Sequence, residues 1–120
     1  MTERRFLVDE NTTPTLGEQL RWRRPGLEVN CVGDEGALPG GTPDPEILIW
    51  LEAHACSLVT DNWSTMSVHL GHHLAAGRHV LGVFVRRPRA RWGAFLDDLL
   101  LICEAADPEE YADRVTHVPL

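Results

Sequence analysis

The feature that most constrains this chain is its alternation of short apolar runs with helix-length segments. Phe6-Leu7-Val8, residues 56–60 and residues 80–85 are compact apolar runs bounded by polar or glycine residues. Runs of this length read as buried strands. Leu27, Val29 and Cys31 alternate with Glu28 and Asn30, as in a half-exposed strand, and residues 115–120 alternate in the same way. Between the runs lie helix signals. Thr13-Pro14 offers a cap followed by proline at the first helical position, Leu16 and Leu20 give an inward face, and Pro25-Gly26 ends the segment. Asp44 is placed to cap a second helix with Pro45 in its first turn. Ile47, Leu48, Ile49, Trp50 and Leu51 make that helix apolar nearly all round, which predicts deep burial. Residues 64–76 read as a helix stopped by Gly77. Trp92, Phe95, Leu96, Leu99 and Cys103 form the inner stripe of a long helix, and Asp107-Pro108-Glu109-Glu110 has the order of a capping box opening a last short one. Strand–helix alternation of this kind predicts one α/β domain over residues 1–120, three-layered, with a mostly parallel central sheet of about five strands.

Charge and composition narrow the function classes. The chain of 120 residues carries a formal net charge of −7, so long-range attraction to nucleic acid is excluded and any such contact must be local. Every basic residue is an arginine. Without lysine, P-loop nucleotide binding and Schiff-base chemistry are excluded. Two-component receiver domains share an acidic pair after strand one and an aspartate after strand three, but they need a lysine that is absent here. Cys31, Cys56 and Cys103 are far apart, odd in number and set in apolar runs, which predicts buried free thiols in a reducing compartment. No apolar stretch is long enough to span a membrane and the first residues carry no signal-peptide pattern, so a cytoplasmic location is expected.

The acids carry the functional expectation. Ligands of open parallel sheets bind outside the carboxyl ends of the strands. Asp9 and Glu10 follow the first strand, Asp61 follows the third, and Asp44 starts the helix after the second. Three segments therefore deliver carboxylates to one edge. Gathered carboxylates repel unless a cation sits among them, and hard oxygen donors suit Mg²⁺ or Mn²⁺. Such an ion can activate water and stabilise charge on a phosphate in flight. Taken singly, each acid also has an ordinary use, Asp44 as a cap and Asp9 and Asp61 as turn residues.

Other constellations weigh less. His69, His72 and His73 share one expected helix, but no glutamate or cysteine completes a zinc motif, and solvated or capping histidines are expected. The arginines of residues 86–91 read either as a grip on RNA phosphates or as a solvated link paired with surface acids. Trp50 and Trp92 fall on core stripes. Trp63, directly after Asp61, is placed to stack a base.

Three stretches together resemble the PIN-like domains: Phe6-Leu7-Val8-Asp9-Glu10-Asn11, Thr42-Pro43-Asp44-Pro45-Glu46-Ile47-Leu48 and Leu58-Val59-Thr60-Asp61. The likeness is to a small stand-alone branch with a DEN-type motif after strand one, a D-x-E-I-L helix start and an L-V-T strand followed by aspartate. Thr65-Met66, His69, Gly77-Arg78-His79 and Gly82-Val83-Phe84-Val85 extend it over nearly the whole chain. The resemblance implies a PIN-type fold and Mg²⁺- or Mn²⁺-dependent cleavage of single-stranded RNA, in relatives that include the toxins of toxin–antitoxin pairs. By position, Asp9, Asp44 and Asp61 would be catalytic and metal-binding, with Glu10 and Glu46 as further metal ligands. Asn11, Asn62, Trp63, Arg86 and Arg87 are the candidate substrate contacts. The expected partners are single-stranded RNA, a small antitoxin protein and a second copy of the chain. One departure bears on the chemistry. Where many relatives read T-x-D-x-D-F, this chain reads Thr60-Asp61-Asn62-Trp63-Ser64-Thr65, with Asn62 and Ser64 in the aspartate positions. Either Asp61 takes over, shifted by one residue, or the site has lost charge. The second case gives a non-catalytic module that binds RNA or a protein.

Overall fold

The computed structural model describes residues 4–10, 12–61, 64 and 66–120. Asn11, Asn62, Trp63 and Thr65, with the expectations attached to them, lie outside the described residues. The elements follow in the order β1 (Arg5–Val8), α1 (Pro14–Arg23), β2 (Val29–Cys31), α2 (Asp44–His54), β3 (Cys56–Thr60), α3 (Met66–Ala75), β4 (Val83–Arg86), α4 (Trp92–Ala105), a single 3₁₀ turn (Pro108–Tyr111) and β5 (Val115–Val118). All five strands are parallel and lie in the order β2-β1-β3-β4-β5. This is a doubly wound α/β arrangement, and β1 and β3 flank the point where the connections change direction.

Two apolar layers hold the helices to the sheet, and the strand period of two decides which side chain joins which layer. Phe6, Val8, Val59 and Phe84 face α1 and α4, packing with Leu16, Leu20, Phe95, Leu96, Leu99 and Ile102. Leu7, Leu58, Val83 and Val85 face α2 and α3, packing with Ile47, Leu48, Leu51, Met66 and Leu70. Both faces of the central strands are therefore covered, which is why those strands read as continuous apolar runs rather than as alternating ones.

Several boundaries and burials differ from the sequence expectation. The fourth strand begins at Val83, not at residue 80, because Gly82 takes φ +106°. There an added Cβ would lie 2.7 Å from the carbonyl oxygen of Tyr111. Asp44 is not the cap of α2. Pro43 holds the cap position without a side-chain bond, and Asp44 sits in the first turn. The same helix is not buried all round: Ile49 is 46% exposed, and Trp50 is half-buried and stacks on His54 at 4.0 Å. The three thiols are free, with Cys56 and Cys103 buried and Cys31 half-buried. Burial pushes the Cys56 thiol up to about 11 and also raises that of Cys31, so both stay protonated near neutrality. Among the described residues, no helix is long and apolar enough to cross a membrane.

Candidate functional site at the carboxyl edge of the sheet

The pairing of β1 with β3 sets the centre of the site. Val8 is level with Val59, so the chain beyond the two strands brings Asp9 alongside Thr60 and Asp61. The Asp9 N–H donates to the Val59 carbonyl at 3.0 Å, and the Thr60 hydroxyl donates to Asp9 Oδ2 at 2.9 Å. Asp9 is only 9% exposed. A carboxylate this enclosed needs donors close by, and the threonine hydroxyl supplies one. The turn after β1 is closed by the Thr12 N–H on the Asp9 carbonyl at 3.0 Å. The Thr12 hydroxyl in turn accepts the Asp61 N–H at 3.1 Å. Thr12 thus ties the end of β1 to the end of β3, a role that nothing in its sequence context signals beyond its place three residues after Asp9.

Asp61 is engaged on its other side by β4. Thr60 is level with Val85, which puts Asp61 beside Arg86. Arg86 Nε donates to Asp61 Oδ1 at 3.0 Å and Nη2 to Oδ2 at 3.1 Å. The remaining nitrogen, Nη1, donates to the Ala90 carbonyl at 2.7 Å, and the guanidinium lies 4.2 Å from the Trp92 ring centroid. The Arg86 side chain is 16% exposed and that of Asp61 30%. Arg86 does pair with an acid, as one reading of residues 86–91 had it, but it is largely covered rather than solvated. It is a forked, stacked partner of a site carboxylate. Arg87 does stand in solvent, with its Nε on the Pro119 carbonyl at 2.6 Å.

The other acids expected at the site have separate surroundings. Glu10 is exposed and accepts the Gly41 N–H with both carboxylate oxygens at 3.0 Å, so it fastens the loop before α2. Asp44 and Glu46 lie in the first turn of α2, where carboxylates complement the helix dipole. Glu46 is exposed and Asp44 half-buried. Next to Asp9 and Glu10, a cavity of about 310 Å³ opens between the ends of β1 and β2, lined also by Glu18, Arg21, Cys31 and Asp34. Arg21 bridges it, donating to the Val29 carbonyl at 2.6 Å and to Asp34 at 3.1 Å.

The carboxylates suit a hard divalent cation in chemical kind, as oxygen donors at one edge. In the arrangement seen, Asp61 and Glu10 have both oxygens accepting hydrogen bonds, and no three His, Cys, Asp or Glu side chains among the described residues stand together as a metal-holding group. The histidines of α3 do not form one either. His73 is buried, with Nε2 3.2 Å from the His79 carbonyl and 3.1 Å from Glu52, so it is neither solvated nor a cap.

A second set of polar contacts, at the opposite edge, had no signal in the sequence. Arg4 is 2% exposed. It donates to the Ser57 hydroxyl and to the carbonyls of Leu81 and Asp107, each at 2.9 Å, between the rings of Phe84 and Tyr111. Burial lowers its pKa, and its Nε has no partner among the described residues. Nearby, His79 Nδ1 lies 2.7 Å from Asp113 Oδ2, and Asp113 Oδ1 accepts the Val80 N–H at 2.9 Å.

No protein-family model, no curated protein and no solved structure matches the chain.

Proposed function

We propose that this chain is a PIN-like endoribonuclease that works with Mg²⁺ or Mn²⁺ on single-stranded RNA at the carboxyl edge of its sheet. The observation that carries the reading is the neighbouring placement of Asp9 and Asp61 at the ends of the paired strands β1 and β3, beside the switch point of the sheet. A divalent ion there would supply Lewis acidity for an attacking water and charge stabilisation at the phosphate. Asp9 and Asp61 are the residues that would hold it; Asp44, in the first turn of α2, is a further ligand only as the resemblance implies. The chain's own contribution is positional: Thr60 orients Asp9, Thr12 fixes the backbone of Asp61, and Arg86 and Arg87 bring positive charge to the edge of an otherwise acidic molecule. The role as a toxin held by a small antitoxin belongs to the same proposal and rests on the resemblance.

A second reading is favoured by the fork of Arg86 on Asp61. If that pair is permanent, Asp61 is already neutralised, and the edge binds RNA or a protein without cutting. Asp9→Asn separates the two. It keeps the size and the oxygen that accepts from Thr60 but removes the charge. As a nuclease, the wild type cleaves a single-stranded RNA pool with Mn²⁺ and melts higher with Mn²⁺, and Asp9→Asn loses both effects while melting without metal at the same temperature or slightly above. A wild type that shows neither cleavage nor a Mn²⁺ melting shift rules out the nuclease and leaves the binding module.

A further inference from the structure

Trp92 falls on the inner stripe of α4, yet it is only half-buried. Phe95 meets its ring edge-on at 6.0 Å, and the Arg86 guanidinium lies over it at 4.2 Å. Trp92 also lines a cavity of about 320 Å³ between the amino-terminal halves of α1 and α4, with Leu16, Leu96 and the polar side chains of Thr13, Thr15 and Gln19. Because α1 follows β1 and α4 follows β4, both helices start at the carboxyl edge and the cavity lies there. Next to it is a short basic turn. The Ala90 N–H closes that turn on the Arg87 carbonyl at 2.9 Å, and Arg87, Arg89 and Arg91 stand exposed along it. Arg89 and Arg91 have no side-chain partner among the described residues. In a chain of net charge −7, the cations of residues 87–91 give a polyanion a place to approach.

We propose that this cavity is a nucleobase subsite: one unstacked base of single-stranded RNA lies against Trp92, between Leu16 and Leu96, while the neighbouring phosphates meet Arg89 and Arg91. The inference takes from the proposed function only that the ligand is RNA. It needs no metal, and the Arg86–Asp61 pair stays as it is, with Arg86 steadying the indole. The volume is at the lower end for small-ligand pockets, roughly 300 Å³, which suits one planar ring system. Every base has a face that stacks on an aromatic side chain, and hydroxyl and amide groups serve both donors and acceptors on a base edge, so little sequence preference is expected. A base inside a duplex keeps both faces stacked, so the subsite selects single strands. An apolar protein side chain would fill the same space but leave the arginines of residues 87–91 without a role.

The test is fluorescence anisotropy in EDTA, which prevents metal-dependent cleavage, with two short labelled probes: a mixed-sequence single-stranded RNA, and an oligomer of the same sugar–phosphate backbone without bases. Wild type is expected to bind the RNA about tenfold more tightly than the abasic oligomer, the scale of one stacked base. Trp92→Leu keeps apolar packing without the aromatic face and is expected to bind both probes alike. Thr15→Phe, at an exposed position on the cavity wall, fills the cavity without touching the core. It is expected to lose the same tenfold, which keeps the test open should Trp92→Leu fold poorly. Arg89→Gln combined with Arg91→Gln should weaken both probes equally and reduce the salt dependence of binding. If both Trp92→Leu and Thr15→Phe bind RNA as wild type does, or if wild type does not prefer RNA to the abasic oligomer, the cavity holds no base. The inference then fails while RNA binding stands, and the space is left to an apolar protein segment. If wild type binds neither probe without metal, the subsite fails, and the Mn²⁺ cleavage assay decides separately whether the nuclease reading falls too.

Discussion

The two edges of the sheet use charge in opposite ways. At the amino edge, Arg4 is enclosed between two aromatic rings and spends its bonds on a hydroxyl and two carbonyls that come from β3, the segment before β4 and the segment before β5. Asp113 closes the same edge by joining His79 and Val80 to the start of β5. At the carboxyl edge, carboxylates stand on neighbouring strand ends, and Asp61 is paired with a half-covered arginine on a strand end. The first arrangement fastens segments together. The second gathers carboxylates at neighbouring strand ends, where the proposed ligand site lies. Doubly wound folds keep their binding chemistry at the carboxyl ends of strands, so the fastening is free to occupy the other end.

The largest expected effect is at the fastened edge. Arg4→Ala removes a buried side chain that packs between Phe84 and Tyr111 and takes the Arg4 donor from the Asp107 carbonyl, while the Leu81 carbonyl keeps the Ser57 hydroxyl at 2.8 Å. It is expected to cost about 3 kcal/mol of stability in urea unfolding. Asp61→Asn, which breaks the forked pair at the other edge, is expected to cost only about 1–2 kcal/mol without metal, because the pair is partly solvated and its loss relieves repulsion with Asp9. A larger loss for Asp61→Asn than for Arg4→Ala would invert the comparison. Ala55 sharpens it in the other direction. This residue ends α2 just before β3 with φ 53°, a left-handed conformation that glycine adopts without strain. Ala55→Gly is expected to raise stability by about 0.5–1 kcal/mol, and a loss on the same urea scale would show that the Ala55 methyl group makes up for its backbone.

The smallest effect is the pH response of the His79–Asp113 contact. The hydrogen bond and charge of Asp113 raise the His79 pKa above its ordinary value. Desolvation pushes Asp113 upward, but the Val80 N–H and His79 outweigh it and hold its pKa below the usual range. A raised histidine stabilises fully below its unfolded pKa and loses that contribution as pH rises through the folded one. A lowered carboxylate stabilises above its unfolded pKa and loses that contribution as pH falls. The contact therefore contributes most between about pH 4 and 6.5, the ordinary values of the two groups. Melting temperature followed over pH 3 to 9 should fall slightly more toward both ends in wild type than in His79→Gln. Identical profiles would remove His79 from the fastening, and because the ring is solvent-exposed only a small difference is expected.

Much of the architecture was legible because each strand and helix carries its own local signal. The apolar runs of β1 and β3, the proline-led starts of α1 and α2 and the inner stripe of α4 each fix an element without reference to the others. What the sequence could not supply was adjacency. Asp61 and Arg86 are 25 residues apart, and only the pairing of β3 with β4 makes them a forked pair. The same holds for Arg4, which meets Asp107 across 103 residues of chain. Its neighbours in sequence are polar, so nothing local distinguishes it from a solvated arginine. The capping role expected of Asp44 failed for a local reason: Pro43 takes the extended conformation of the cap one residue earlier, and Asp44 is drawn into the helix.

The contrast between the edges is tested most directly by adding substoichiometric Mn²⁺ to ¹⁵N-labelled protein and recording which amide signals the paramagnetic ion broadens. Selective broadening is expected at Asp9, Glu10, Thr12, Thr60, Asp61 and Arg86, with the amides of Val80 and Asp113 at the opposite edge little affected. Broadening centred on Glu52, His79 and Asp113, or spread evenly over the acidic surface, would contradict it.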